Sequence, residues 1–273
     1  MFRILFIAFL LTFSLKAENL LLEKVENLIG TQEFNTHKNL VNLLFKNGSS
    51  YYFGENLNYI QILKQLKQNG LLKLKLSQPK EIVVEFETNF DPIKSLKILN
   101  DTLNNLGYYY YFTKSTFFDG NGHLIWNIKL KTSYAIDPLI LANELANHES
   151  RITDIIKKEN DTWKYVINTQ YSDIADALYV DTNEKVVFQK PLKPYFIKIG
   201  EAKTLKILSR KLNNWYPYIV FYDKHLTVLQ VVKKDRVFRG LTMNIPQTTR
   251  YMKVTDLYTL INIKRGLSII TKE

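Results

Sequence analysis

The sequence predicts an α+β protein with N-terminal helices, a ferredoxin-like βαββαβ domain and a C-terminal antiparallel β-sandwich. Apolar residues recur at helical spacing over residues 18–46 and again over residues 56–68. Strand and helix patterns then alternate between residues 81 and 169. From residue 185 onward, short strand-like segments follow one another about every ten residues. With 273 residues and 46% hydrophobic content, the chain is large enough for two domains with buried cores.

Residues 1–17 are typical of a secretory signal peptide. Arg3 precedes the apolar run Ile4–Leu15, and Lys16-Ala17-Glu18 ends it. The run is shorter than the roughly 20 apolar residues that a membrane-spanning helix needs. We expect cleavage after Ala17, with an uncleaved signal anchor as the alternative. A lipoprotein signal is excluded because the chain has no cysteine, and no later segment reaches membrane-spanning length without charges.

Residues 18–78 are predicted to be a helical N-terminal segment. Five apolar residues form a stripe at three- and four-residue spacing: Leu21, Leu22, Val25, Leu28 and Ile29. Gly30-Thr31 is expected to interrupt this helix. A second amphipathic helix is predicted over Asn56–Gln68 and ends at Gly70.

Residues 79–170 are predicted to form the ferredoxin-like domain, with helices on one face of an antiparallel sheet. Asp91-Pro92 and Asp137-Pro138 are each expected to begin a helix, with Asp at the N-cap and Pro at the first helical position. The Asp119-Gly120 pair predicts a hairpin turn. The predicted strands are Glu81–Thr88, Tyr108–Phe118, Leu124–Thr132, Arg151–Lys157 and Trp163–Thr169.

Residues 171–273 are predicted to form the β-sandwich, and Ser172–Tyr179 is considered as a short helix that leads into it. Its predicted strands are Lys185–Gln189, Tyr195–Ile199, Thr204–Ser209, Tyr218–Asp223, Leu226–Val232, Leu241–Ile245, Arg250–Thr255 and Ser268–Thr271.

A family resemblance rests on the order of the strand segments in this region. The segments run Pro194–Gly200, Thr204–Ser209, Tyr216–Asp223, Leu226–Leu229, then Ile245-Pro246 and Arg250–Thr255. This order, with Pro217, Asp223, Pro246 and Tyr251, resembles the C-terminal β-sandwich of the maltose-operon periplasmic protein family over residues 172–260. The resemblance implies an exported β-sandwich without a catalytic motif.

The charge and cysteine content bear on location and partners. The chain has 37 Lys+Arg against 26 Asp+Glu, a formal net charge of +11. Such a protein meets anionic partners electrostatically, but export disfavours nucleic acid. The densest basic cluster, residues 233–239, contains Asp235 and is expected to be a solvated edge or loop. An exported protein without cysteine fits a bacterial periplasmic or secreted location better than a eukaryotic one.

The residue types that carry enzyme chemistry are sparse. Without cysteine there are no thiolate nucleophiles, iron–sulfur centres or thiolate zinc sites. The four histidines are far apart in sequence, and only Glu144 and His148 share a helix at i, i+4 spacing, where a surface pair is the simpler interpretation. Asp119–His123 lacks most of a calcium loop. We therefore expect no catalytic residues, no metal and no cofactor.

Aromatic clusters are the candidate binding residues. Tyr108–Phe112 would place aromatic rings on both faces of one strand, with one face in the core. Trp215–Tyr218 forms a second cluster, which either presents a platform for sugars or proteins or closes the end of the sandwich. The candidate binding residues are Tyr109, Tyr111, Trp215, Tyr216 and Tyr218.

The sequence favours a non-catalytic exported protein of the bacterial envelope, with a role in interaction or assembly and with envelope proteins as partners. The alternative is a glycan- or cell-wall-binding protein that uses the Trp215 cluster. An enzyme would require acids and a histidine that converge in a cleft.

Overall fold

The computed structural model describes residues 19–158 and 162–273. The predicted signal peptide and its cleavage site after Ala17 lie outside the described residues. Contacts divide the chain into two units, one up to Asp173 and one from Ile174 onward. Among the described residues, no helix is both long enough and apolar enough to cross a membrane.

Residues 19–44 of the first unit are helical apart from short interruptions, as predicted, whereas the rest of the predicted helical segment 18–78 also contains strands at residues 52–57 and from residue 75. Residues 19–29 form helix α1, and two short helices follow, α2 (Thr31–Thr36) and α3 (Lys38–Leu44). Gly30 separates α1 from α2 at φ 88°, a conformation that a residue without Cβ adopts readily. The predicted apolar stripe is buried through Leu21, Val25 and Leu28.

The second predicted helix begins later than expected. A 3₁₀ turn (Gly48–Tyr51) leads into a two-stranded hairpin of β1 (Tyr52–Phe53) and β2 (Asn56–Leu57). Helix α4 then covers Tyr59–Gln68. Asn56-Leu57 pairs with β1, and the Asn58 side chain accepts a hydrogen bond from the Gln61 amide, which fixes the helix start.

The rest of the first unit is a five-stranded sheet with two helices. Its elements are β3 (Lys75–Thr88), α5 (Pro92–Asn105), β4 (Phe112–Phe118), β5 (Leu124–Tyr134), α6 (Pro138–Asn147), β6 (Arg151–Lys158) and β7 (Thr162–Asn168). The strand order is β4-β5-β3-β7-β6, and helices α5 and α6 contact each other.

The sheet is mixed, so the expectation of an antiparallel sheet is wrong for one strand pair. Strands β6 and β7, both predicted as strands, pair antiparallel as a hairpin, but β7 and not β6 lies beside β3. Because β7 is the returning arm of that hairpin, it runs parallel to β3 and leaves β6 at the edge. The element order is therefore βαββαββ.

The two Asp-Pro pairs begin helices as predicted, but their carboxylates act differently. Asp137 caps α6 by accepting hydrogen bonds from the amides of Leu139 (3.0 Å) and Ile140 (3.3 Å). Asp91 has φ 43° and makes no cap bond, and its carboxylate pairs with Lys94 at 3.1 Å. The N-cap prediction is therefore correct in position at both sites and correct in mechanism only at Asp137.

The second unit contains two sheets. Its strands are β8 (Leu178–Val180), β9 (Lys185–Val187), β10 (Tyr195–Ile199), β11 (Thr204–Ser209), β12 (Pro217–Tyr222), β13 (Val228–Lys233), β14 (Gly240–Asn244), β15 (Tyr251–Asp256) and β16 (Leu267–Lys272), with a 3₁₀ turn at Leu260–Ile263. The orders are β13-β12-β15-β10-β8 and β14-β11-β16-β9. Each of the eight segments predicted after residue 185 contains a strand, with ends shifted by at most two residues.

One core joins these two sheets. Ile197, Ile219 and Val254 of the first sheet belong to the same buried cluster as Leu205 and Ile269 of the second. Strand β8 pairs with β10 in parallel, whereas the other pairs in both sheets are antiparallel. The short helix considered over Ser172–Tyr179 is absent from these described residues, and β8 begins at Leu178 instead.

Candidate interaction surface

Trp215 is part of the core of the second unit. Its side chain is fully buried, and its Nε1 donates a hydrogen bond to the Thr255 carbonyl at 3.0 Å. Both faces of the indole are covered by protein, so the ring cannot stack on a sugar. The hypothesis that Trp215 is an exposed platform is therefore wrong, and the alternative, that it closes the core, matches its position.

Tyr216 and Tyr218 are half-buried and already contact other side chains. The Tyr216 ring meets the Tyr258 ring edge-on, with centroids 5.0 Å apart. The Lys253 ammonium lies 5.4 Å from the centre of the Tyr218 ring. These two candidates therefore offer only parts of their rings to a ligand.

The tyrosine run of the first unit lies before β4 and not within it. Strand β4 begins at Phe112, so the strand predicted from Tyr108 is four residues too long. Tyr109 and Tyr110 are 66% and 92% exposed. The expectation that one face of this run lies in the core is therefore wrong at these two neighbouring residues. Tyr111 is half-buried: its hydroxyl donates to Asn100 Oδ1 at 2.6 Å, and burial is the main cause of its raised pKa.

Strand β4 is an exposed sheet edge rich in aromatic residues. All seven of its residues are exposed. Phe112 is 79% exposed, and Phe117 and Phe118 are 55% and 52% exposed. β4 pairs with β5 on one side, and on its other side no strand pairs with it among the described residues. Phe117 and Phe118 were not among the predicted binding residues, although their position directly before the Asp119-Gly120 turn was a usable signal.

The opposite edge of the same sheet is covered by the N-terminal helices. The Asn27 side chain of α1 accepts a hydrogen bond from the Lys157 amide at 2.9 Å and donates one to the Lys157 carbonyl at 3.5 Å. Asp154 of β6 also receives the Lys24 ammonium (2.8 Å) and the Tyr59 hydroxyl (2.6 Å). Burial and this carboxylate raise the pKa of Tyr59, which keeps it a hydrogen-bond donor. Edge β6 is therefore protected, in contrast to β4.

A shallow cavity of about 500 Å³ lies between β4 and α5. Ile93 and Leu96 of α5 form its apolar wall, and Trp126 of β5 lines it from the sheet. Trp126 Nε1 donates to Thr113 Oγ1 at 3.1 Å, which fixes the indole beside β4. The other residues that line the cavity are Lys97, Asn100, Tyr111, Thr113 and Thr116. We call this cavity the β4–α5 groove.

A second cavity of similar volume lies among the hairpin β1–β2, α4, α6 and β6. The Arg151 guanidinium stands 4.2 Å from the centre of the Phe53 ring at this site. Within residues 19–158 and 162–273, no group of three His, Asp or Glu side chains is arranged to hold a metal ion. Asp119, considered for a calcium loop, accepts hydrogen bonds from the amides of Asn121 and His123 and thereby shapes the turn.

No protein-family model matches this sequence, and a search among curated proteins finds no match.

Proposed function

We propose that this chain is an exported, non-catalytic protein of the bacterial envelope, with an interaction or assembly role in the periplasm or outside the cell. The observation that carries the proposal is the uncovered aromatic edge of the first unit, which we define as Tyr109, Tyr110 and strand β4. The signal-like residues 1–17 and the absence of cysteine support the location.

The aromatic edge favours binding because of its exposed apolar area. Aromatic side chains supply much of the binding energy at protein interfaces, and contiguous exposed apolar patches mark such surfaces. Unpaired strand edges are ordinarily covered or charged, as β6 is here. An edge that keeps three exposed phenylalanines is explained by a partner that covers it.

We also propose finer assignments for the two units. The first unit is a variant of the ferredoxin-like split βαβ arrangement, in which β7 lies between β3 and β6 and runs parallel to β3, and the second is a β-sandwich. The resemblance to the maltose-operon periplasmic protein family stays a proposal. It is supported by the order of the strand segments and by Pro217, Asp223, Pro246 and Tyr251 in the sequence.

A photo-crosslinking experiment tests the interaction role. The full chain is produced in its bacterial host with p-benzoylphenylalanine in place of Tyr110, and in a matched control in place of Ile261, which is 70% exposed in the second unit. After irradiation of whole cells, we expect a discrete protein adduct from position 110 and none from position 261. Equal labelling at both positions, or no protein adduct at 110, would contradict the proposal.

A glycan-binding role is the second candidate, and the exposed rings of Tyr109 and Tyr110 are what support it. Trp215, the central residue of the glycan platform predicted from the sequence, is buried and cannot contribute to such binding. Sedimentation with purified peptidoglycan sacculi separates the two roles. Retention that is lost on Tyr110→Ala would favour glycan binding, whereas the proposed interaction role predicts no retention.

A further inference from the structure

We infer that β4 accepts an extended, acidic segment of a partner protein as an added sixth strand, with alternate apolar side chains of that segment in the β4–α5 groove. This inference rests on the proposed interaction role and specifies its chemistry. The candidate binding mode is strand addition, in which main-chain hydrogen bonds give affinity and side-chain pockets give specificity.

The register of β4 defines the two sides of such an added strand. Thr116 and Phe118 lie opposite Trp126 and Leu124, whose buried side chains belong to the side of the sheet that faces α5. Phe117 lies opposite Ile125 and therefore on the other face. Because side chains alternate along a strand, every second residue of an added strand would reach the β4–α5 groove.

The first half of β4 is less suited to pairing than the second. The register between β4 and β5 shifts between Thr113 and Ser115, which leaves Lys114 as the extra residue of a bulge. Bulges and lysines are common means of protecting a sheet edge. Ser115–Phe118 follows this bulge without a further shift, so main-chain pairing is expected there.

The groove supplies apolar contacts beside this pairing segment. Ile93 is 60% exposed on the first turn of α5, and Leu96 and Trp126 line the same groove. An apolar side chain of the added strand would cover Ile93 and gain contact with the indole. The strand edge and the groove therefore select the same occupant, an extended chain with apolar residues at alternate positions.

Charge favours an acidic partner over a second copy of this chain. Strand β4 contains no acidic residue, and its exposed Lys114 has no ion pair among the described residues. Lys131 lies on the neighbouring strand β5. It is also exposed and also has no ion pair with any residue that the structure describes. Asp or Glu in a partner strand would neutralise these two lysines, whereas a second copy of this chain, with its formal net charge of +11, would add further positive charge.

Peptide selection on the purified protein tests this inference. The probe is a phage-displayed library of random peptides of about ten residues, the upper length of ordinary strands. We expect the selected peptides to carry Asp or Glu with alternating apolar residues. We also expect the bound peptide to slow hydrogen exchange of the Ser115–Phe118 amides at least about tenfold.

Charge-reversal variants identify the edge that binds. Lys114→Glu should weaken binding of the selected acidic peptide by about three- to tenfold. The matched control is Lys206→Glu on β11, an exposed lysine of the second unit that should leave the affinity unchanged. An equal loss in both variants would overturn the inference, because it would indicate attraction to the net charge alone.

Other outcomes also decide the matter. Selected peptides that are basic, or that protect amides elsewhere, would overturn strand addition. Concentration-dependent dimerisation that protects β4 without peptide would assign the edge to a second copy instead. A protein adduct at position 110 without any β4-protecting peptide would overturn only strand addition, whereas loss of the adduct contradicts the interaction role itself.

Discussion

Trp215 fills the core of the second unit and satisfies the Thr255 carbonyl at the same time. Because both contributions are buried, Trp215→Ala should destabilise this unit by about 3–5 kcal/mol. Trp215→Phe keeps a ring but leaves the carbonyl without its donor, so we expect a smaller loss of about 1–3 kcal/mol. Hydrogen exchange of amides in β12 and β15, measured in the full chain, reports the stability of this unit.

The control for Trp215 is Tyr110, whose side chain is almost fully exposed. Tyr110→Ala should change the unfolding free energy by no more than about 0.5 kcal/mol. A stable Trp215→Ala variant with unchanged amide exchange would contradict the assignment of Trp215 to the core.

The burial of a single aromatic residue could not be predicted from its local sequence. Trp215 and Tyr110 are both aromatic residues in aromatic runs, yet one is fully buried and the other exposed. Local sequence does not distinguish them, because burial depends on which strands pair. Asp91 and Asp137 make the same point, since identical Asp-Pro signals lead to different backbone conformations and different carboxylate partners.

At the scale of elements, the two edge strands of the first sheet differ in whether other residues cover them. At β6, the Asn27 side chain covers the edge by hydrogen-bonding to its backbone. Asn27→Ala removes both hydrogen bonds to the Lys157 backbone. We expect exchange of the Lys157 amide to accelerate about tenfold or more, measured by nuclear magnetic resonance. Asn27→Asp keeps an acceptor for this amide, so its protection should largely persist. Equal exchange in both variants would exclude Asn27 as the cover of this edge.

A cross-strand ionic ladder lies on the face of the sheet opposite the buried aromatic residues. Glu87 of β3 contacts Lys164 of β7 and His123 (3.2 Å), and Glu85 accepts from Lys158 at 3.1 Å. Burial raises the pKa of Glu87, but the hydrogen bonds and charges of Lys164 and His123 outweigh this and hold the pKa below its usual value.

The lowered pKa of Glu87 predicts a pH dependence of stability. A carboxyl group whose pKa is lower in the folded state stabilises the fold above its unfolded pKa of about 4.3, and this contribution is lost as pH falls through the folded pKa. Below about pH 4.5, the unfolding free energy of Glu87→Gln should therefore fall less steeply than that of the unmodified protein. Urea titrations at several pH values measure the slope.

Glu81 provides the control on the same strand. Its side chain is 57% exposed, and within residues 19–158 and 162–273 its ion pair is with Lys129. Glu81→Gln should keep the pH slope of the unmodified protein, because exposed pairs contribute little. Identical slopes in the unmodified protein and Glu87→Gln would show that the ladder does not stabilise the fold.

The elements themselves were largely predictable, whereas their pairing was not. The hairpin at Asp119-Gly120 and the strand Tyr195–Ile199 follow from turn residues and alternation that are local in sequence. The parallel pair of β3 and β7 joins residues about eighty positions apart, and no local pattern specifies it. The β4–α5 groove depends on the strand order β4-β5-β3-β7-β6 and on the position of α5. It was therefore not predictable from the sequence.

At the scale of the whole molecule, contacts assign the N-terminal helices to the same unit as the first sheet. Helices α1 and α4 contribute fully buried residues, among them Val25, Ile62 and Leu66. Helix α4 contacts α6 and β6, and α1 covers the β6 edge through Asn27. The helical segment therefore completes the core of the first unit and closes one of its two edges.

A truncation tests this role of the N-terminal helices. A fragment of residues 75–173 lacks α1–α4, so it exposes the apolar surface beneath them and frees the β6 edge, in addition to β4. Sheet edges of this kind pair with other chains, and we expect the fragment to self-associate in analytical ultracentrifugation. A fragment of residues 19–173 keeps β6 covered and should sediment as a monomer at the same concentration. If both fragments are monomeric and equally resistant to urea, the helices do not protect the sheet. The contrast between a covered β6 edge and an uncovered β4 edge would then no longer support binding at β4.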